Sequence, residues 1–270
     1  MNPGDMKNTV RPFATVIMAA GKGKRMLNPE LPKVLYQVDG RPMIDYVVAL
    51  ALRIDSLKTI VVVRHQRDSV VEHVSSQFGP RVTFVEQREQ FGTGHAVLQT
   101  ESELEGFQGD VLVLSGDVPL LREKTLMRMI EEHRTSRAVA TILTADIPNP
   151  SGYGRILRQE DGSVRRIVED RDASESERAV KEINSGIYVF EKVELFKALR
   201  NLRSHNVHNE YYLTDVFERF WNEKLKVLAV KVHDFNEVRG VNTVDELRQA
   251  QEAYLKGSTG IGKSLERGLS

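Results

Sequence analysis

Between residues 13 and 145 short apolar runs alternate with longer amphipathic ones, and this alternation limits the fold more than any other feature of the chain. The runs 13–20, 58–63, 81–85, 110–114 and 138–145 are compact and rich in Val, Ile and Leu, and they read as strands. The stretches between them, 43–54, 68–77, 93–104 and 123–133, read as helices. Pro42 suits the first turn of one, and Asp68 stands where an N-cap is expected in another. Strands joined through helices run parallel and are covered on both faces. The predicted class is therefore α/β, a Rossmann-like, doubly wound and mostly parallel sheet.

Beyond residue 145 the rhythm changes. Segments 155–158 and 164–168 flank Asp161-Gly162, a hairpin signature that adds a small β-rich part. A strand over 182–190, a helix over 210–221, a strand over 226–232 and an amphipathic helix over 243–255 follow. The expected organisation is a loosely ordered start (1–11), one domain over 12–242, a C-terminal helix (243–256) and a polar tail (257–270). The whole chain of 270 residues suits one large domain, and it shows no internal repeat.

Composition excludes several classes of function. The 38 basic residues balance 38 acidic ones, which argues against a nucleic-acid partner. With no cysteine there is no thiolate metal site and no cysteine nucleophile. No apolar run is long enough to span a bilayer and no secretory segment follows the polar start, so a soluble cytoplasmic protein with no membrane partner is expected.

The stretch "VIMAAGKGKRM" (16–26) carries the first chemistry. Glycine loops between strand and helix commonly hold phosphate through their backbone N–H groups. The P-loop spacing is missing, and the third glycine of the dinucleotide fingerprint falls on Met26. What remains is charge: Lys22, Lys24, Arg25 and Lys33 fall within twelve residues, opposed by Glu30. At the carboxyl end of a first strand such a loop faces the ligand crevice of an α/β sheet, and a polyphosphate is its natural guest. A merely solvated basic turn is the alternative. In "LSGDVPLL" (114–121) a strand delivers Asp117 to the same rim, either as a hard oxygen ligand for Mg²⁺ or as the cap of a turn. Beside the basic loop, the metal reading gains weight.

Further motifs follow in order: "LPKVL" (31–35), "EQFGTGHAV" (89–97), "GYGRILR" (152–158), "IVEDRDAS" (167–174), "EINSGIYVF" (182–190), "NEYYLTD" (209–215) and "EVRGVNT" (237–243). Together they resemble the sugar-phosphate nucleotidylyltransferases. Within these they resemble the uridylyltransferase half of the bifunctional N-acetylglucosamine-1-phosphate uridylyltransferase/glucosamine-1-phosphate acetyltransferase family, over roughly residues 13–255. The resemblance implies a nucleotidyltransferase fold and an enzyme that joins UTP and N-acetylglucosamine 1-phosphate. Met18, Ala19, Ala20 and Gly21 would line the nucleotide, and Arg25 and Lys33 would grip its triphosphate. Gln87 and Gly92 would read uracil, with Thr93 beside them. Asp117 and Asn242 would hold Mg²⁺, and Gly154, Glu169 and Asn184 would line the sugar pocket. The alternatives are another sugar 1-phosphate, such as glucose 1-phosphate, or a non-catalytic nucleotide-sugar sensor.

Some positions depart from the pattern of that family. Lys24 replaces its usual Thr, Ser115 its Tyr and Tyr36 its His, and the segment 27–30 is one residue longer. These changes bear on how strictly UTP is preferred. No hexapeptide repeat follows Leu255, so neither acetyl transfer nor a trimer is expected of this chain, and a monomer or weak dimer is. Other residues take structural readings: His65, His73 and His95 lack metal spacing, Gly152 serves a turn, and Tyr211, Tyr212 and Trp221 are assigned to a helix as core or interface groups.

Overall fold

The computed structural model describes residues 11–21, 23, 25, 26, 28, 30–64, 66–203 and 210–265, with side chains up to residue 257. Lys22, Lys24, Leu27, Pro29 and His65 lie outside the described residues, as do the terminal segments and 204–209.

Strand β1 (Phe13–Met18) is buried along its length. A loop and a short ribbon, β2 (Gln37–Val38) and β3 (Arg41–Pro42), lead into α1 (Met43–Arg53). Then come β4 (Thr59–Val63), α2 (Arg67–Phe78), β5 (Thr83–Glu86), α3 (Thr93–Leu98), β6 (Asp110–Ser115), α4 (Glu123–Ser136) and β7 (Ala140–Asp146). The second part holds the hairpin β8 (Arg155–Arg158) and β9 (Val164–Val168), α5 (Glu175–Arg178), β10 (Glu182–Glu191), α6 (Lys192–Leu199), α7 (Asp215–Asn222), β11 (Val227–Lys231) and α8 (Val244–Leu265).

The strands join in the order β11-β7-β10-β6-β1-β4-β5, with β8 and β9 attached beside β10. β1 pairs in parallel with β4 and β6, β4 with β5, and β11 with β7. β10 runs antiparallel between β6 and β7, so the central sheet is mainly parallel with one reversed strand in its middle. Side chains alternate between two cores. Phe13 and Ile17 of β1, with Leu112 and Leu114 of β6, meet α1, α2 and α4 on one face. Ala14 and Val16, with Val111 and Val113, meet α3, α6 and α7 on the other. The period of two along each strand thus produces three layers, helix on sheet on helix.

Several elements differ from the sequence reading. Gln66, in the left-handed region at φ 53°, caps α2, and Asp68 lies inside its first turn. The helix expected over 210–221 begins only at Asp215, because the backbone of Tyr211 is drawn into hydrogen bonds, its N–H donating to the Phe91 carbonyl and its carbonyl accepting from the Gly94 N–H. Tyr211 and Tyr212 are therefore loop residues, and Trp221 alone of the three is helical. α6 was not anticipated. α8 continues to Leu265, through positions expected to be tail. Among the described residues no helix is long and apolar enough to cross a membrane.

Candidate active site

β1 and β6 end side by side, Met18 opposite Ser115, and both chains leave into one crevice. The Gly116 N–H donates to the Met18 carbonyl at 3.0 Å. A Cβ on Gly116 would approach that oxygen to 3.2 Å and Ile44 to 3.0 Å, so glycine keeps the two strand ends together. A cavity of about 320 Å³ opens here. Met18, Ala19, Ala20, Gly21, Lys33, Gln87, Gly92, Thr93, Ser115, Asp117, Glu169, Glu210 and Tyr212 are among the residues that line it.

Gln87 is buried and its orientation is fixed. Its amide nitrogen donates to the Gly92 carbonyl at 2.9 Å and lies 3.3 Å from His95 Nδ1. A carbonyl only accepts, so Gly92 selects the NH₂ side, and the carbonyl oxygen of Gln87 stays outside these two contacts as an acceptor. Gly92 has φ 98°, and a Cβ there would sit 2.6 Å from the Tyr211 carbonyl, so only glycine fits. His95, expected to be structural, is thus in contact with the residue expected to read the base.

Lys33 hydrogen-bonds both Asp117 Oδ2 and Asn242 Oδ1, the latter at 2.8 Å. The two oxygens come from distant parts of the chain, its middle and its C-terminal part. The Val241 N–H donates to the Asp117 carbonyl at 3.0 Å, joining the segments. Glu246 Oε2 accepts from the N–H groups of Asn242 at 2.7 Å and Thr243 at 3.0 Å, while Thr243 Oγ1 accepts from Glu246 N at 3.2 Å. This is a capping box at the start of α8, and Thr243-x-x-Glu246 is its sequence signature. Glu246 is therefore a positioning residue that the sequence reading missed although the signal was present. Tyr153 supports the same segment through the Gly240 backbone; burial, then the charge of Glu246, pushes its hydroxyl up to about 12.

The donor set fits a hard divalent cation. One carboxylate oxygen and one carboxamide oxygen already converge on a single positive charge, and Mg²⁺ takes one or two such protein ligands with phosphate and water completing the shell. No group of three His, Asp or Glu that could hold a metal by itself occurs among the described residues.

The expected sugar residues are divided. Glu169 lines the cavity, and its carboxyl is raised above the usual range first by burial, then by Asp172 and Asp170, against the Thr214 hydroxyl that donates to it at 2.8 Å. Gly154 and Asn184 are buried outside the cavity lining. The Asn184 N–H donates to the Gly154 carbonyl at 2.8 Å, and its side-chain amide donates to the Tyr188 hydroxyl at 2.7 Å. Glu169 and Tyr212 also border a second cavity of about 660 Å³, shared with Asp172, Asp215 and Glu218. Arg25 is exposed and outside the lining of the first cavity. Tyr36, the departure from His, holds the loop: its hydroxyl accepts from Asn28 N at 2.7 Å and donates to Asn28 O at 3.1 Å.

Residues 14–256 match the family described as nucleotidyl transferase. Bifunctional protein GlmU of Streptococcus thermophilus (strain CNRZ 1066) is 45% identical over 237 residues, 88% of this chain and 50% of that protein. Bifunctional protein GlmU of Streptococcus pyogenes serotype M3 (strain ATCC BAA-595 / MGAS315) is 46% identical over 227 residues, 84% of this chain and 48% of that protein. The chain spans about half the length of these curated relatives. Among solved structures, UDP-glucose pyrophosphorylase complexed with UDP-glucose is similar with a TM-score of 0.70 at 19% identity, covering 91% of this chain and 99% of that one. A putative glucose-1-phosphate thymidylyltransferase from Bacillus anthracis in complex with sucrose gives 0.70 at 19% identity, over 89% and 94%. At that identity these two likenesses concern the fold alone.

Proposed function

The chain belongs to the nucleotidyl transferase family, and on that premise we propose that it transfers UMP from UTP to N-acetylglucosamine 1-phosphate, giving UDP-N-acetylglucosamine and pyrophosphate. The observation that carries this reading is one cavity lined by Gln87, Lys33 and Asp117, with Lys33 also bonded to Asn242 and the Gln87 amide nitrogen committed to Gly92. The relatives named for a bifunctional GlmU support the same reaction class.

The chemistry asks little covalent help. A phosphate oxygen of the sugar 1-phosphate forms a bond to the α-phosphorus, and the bond from that phosphorus to the bridging oxygen breaks as pyrophosphate leaves. The attacking oxygen is anionic at neutral pH, so no general base is required. The protein must bring two anions together and stabilise charge in the transition state. Met18, Ala19, Ala20 and Gly21 line the nucleotide with backbone, and Lys33 and Arg25 supply positive charge to the triphosphate. Asp117 and Asn242 would hold Mg²⁺, which when bound neutralises phosphate charge and orients the reacting groups.

Base choice follows from Gln87. Its acceptor suits the N3–H of uracil, whereas cytosine presents a lone pair at that position and would leave a buried acceptor unpaired. Glu169, which lines the cavity and accepts from the Thr214 hydroxyl, is assigned to the sugar. The test is pyrophosphate release with Mg²⁺, UTP or CTP, and a panel of sugar 1-phosphates. The highest kcat/KM is expected with UTP and N-acetylglucosamine 1-phosphate. A higher value with glucose 1-phosphate would reassign the sugar, and no release with any pair would leave the sensor in its place.

A further inference from the structure

The ammonium of Lys33 lies on the two oxygens assigned above to the metal. An ammonium and a divalent cation cannot both occupy contact positions on the same lone pairs, because their repulsion at such distances far exceeds thermal energy. One of the two must give way. Asp117 is tied through its carbonyl to Val241, and Asn242 is clamped through its own N–H by Glu246. Lys33 is anchored only at its backbone, in a turn closed by Tyr36 N–H to Lys33 O at 3.2 Å. Its stem is four methylenes long and rotatable, so the ammonium is the mobile partner. A Cβ on Gly21 would be 3.9 Å from Lys33 Cε, which puts the phosphate-facing loop within the reach of that stem.

We propose that Lys33 is a resident counter-ion for Asp117 and Asn242, which excludes divalent cations from the protein until a triphosphate draws the ammonium away. Metal and nucleotide then enter together, and neither carboxylate nor carboxamide is left without a cation in between. The side chains of Lys33 and Asp117 are 13% and 16% exposed, so water screens this pair less than it does a surface pair. The inference rests on the reading of Asp117 and Asn242 as metal ligands, and the experiment separates the two.

The probe is Mn²⁺, read by the loss of its free electron-paramagnetic-resonance signal on titration into the full chain without nucleotide. Wild type should bind it weakly, and UTP should raise the affinity sharply. Lys33→Met removes the charge and both hydrogen bonds and should tighten nucleotide-free binding by at least about tenfold, given the size of a unit-charge repulsion at contact distance. Lys33→Arg keeps a cation and should stay weak. Arg25→Ala removes an exposed positive charge of the same loop, outside the cavity lining, and should not tighten binding. In Lys33→Met/Asp117→Asn the gain should vanish. If Lys33→Met shows no gain while Asp117→Asn still abolishes Mn²⁺ uptake with UTP, the counter-ion role is wrong and the metal reading survives. A gain that persists in the double variant overturns both, and an equal gain in Arg25→Ala reduces the effect to general charge and overturns the counter-ion role. Should Lys33→Met not fold, the wild-type comparison decides: binding as tight without UTP as with it rejects the proposal.

Discussion

β6 begins and is followed by an aspartate, and the two are used in opposite ways. Asp110 at its first residue is fully buried, with Arg11 Nε at 3.0 Å and His133 Nε2 and Arg134 Nε each at 3.7 Å. Asp117, just past its end, meets the movable ammonium of Lys33 in a cavity. Both carboxylates are paired. At the foot of the sheet Arg11, just before β1, and His133 and Arg134 of α4 close around one acid and fix it. At the rim the chains of β1 and β6 diverge, and the acid keeps one exchangeable partner. The open end of a parallel sheet is where ligands bind, so the same residue type serves packing at one end and chemistry at the other.

Asp117→Asn and Asp110→Asn test this contrast directly. The first removes charge at the rim and should lower kcat for pyrophosphate release by roughly 10²–10³, the usual loss for one preorganised electrostatic group, with little change in melting temperature. The second leaves the Arg11 and Arg134 guanidinium groups around a neutral amide and should cost about 3 kcal/mol of unfolding free energy, the low end for breaking a buried ion pair, with kcat per folded molecule unchanged. Denaturant melts and initial rates on both proteins suffice. If Asp110→Asn depressed kcat as far as Asp117→Asn does, the division between foot and rim would fail.

Glu246 lies between the two cases, since it caps a helix and also positions Asn242. Glu246→Ala should lose about 1 kcal/mol of stability as a broken cap. It should also raise the Mg²⁺ concentration needed for half-maximal rate, which a cap alone would not do. Glu246→Gln keeps an acceptor oxygen and should recover part of both. A stability loss with unchanged Mg²⁺ dependence would reduce Glu246 to a cap.

The rim was more legible in sequence than the sheet behind it. "AAGKGKRM" and "SGDVPL" mark chain leaving a strand, and glycine and charge survive there as local signals. The roles of Lys33, Asp117, Asn242, Gln87 and Gly92 came from the motif order, and the structure gathers these residues at one crevice. Strand direction has no such local mark. β10 alternates like its neighbours, and nothing in "EINSGIYVF" says that it runs against β6 and β7. α6 is short and follows β10 without a break, so no turn signal marks its start beyond the strand read over 182–190. Tyr211 and Tyr212 carry helix-compatible spacing, but the tertiary hydrogen bonds of the Tyr211 backbone with Phe91 and Gly94 override it. His95 had no sequence signal for its contact with Gln87, because the signal is a distance across a loop.

α7 supplies a third aspartate that sharpens the contrast, since among the described residues no ion pair holds it. Asp215 faces Glu169, Glu218 and Asp172, and burial first, then these charges, push its carboxyl from 3.8 up to about 6. Below about pH 4 the group is protonated in the folded and unfolded chains alike and carries no penalty. As pH rises from about 4 towards 6 the unfolded chain loses its proton first, so folding is progressively disfavoured, and the full penalty stands above about pH 6. A shift of this size would amount to roughly 3 kcal/mol if the site were dry; with part of the carboxyl in water, about 1 kcal/mol is a fair expectation. Asp215→Asn removes the charge and keeps most of the shape. It should therefore stabilise the protein by about 1 kcal/mol at pH 8 and by almost nothing at pH 4, the reverse of Asp110→Asn, which should destabilise. Thermal melts of wild type and variant at the two pH values measure it. An equal gain at both would mean that the effect is packing rather than charge, and Asp215 would no longer stand as the unpaired counterpart of the other two acids.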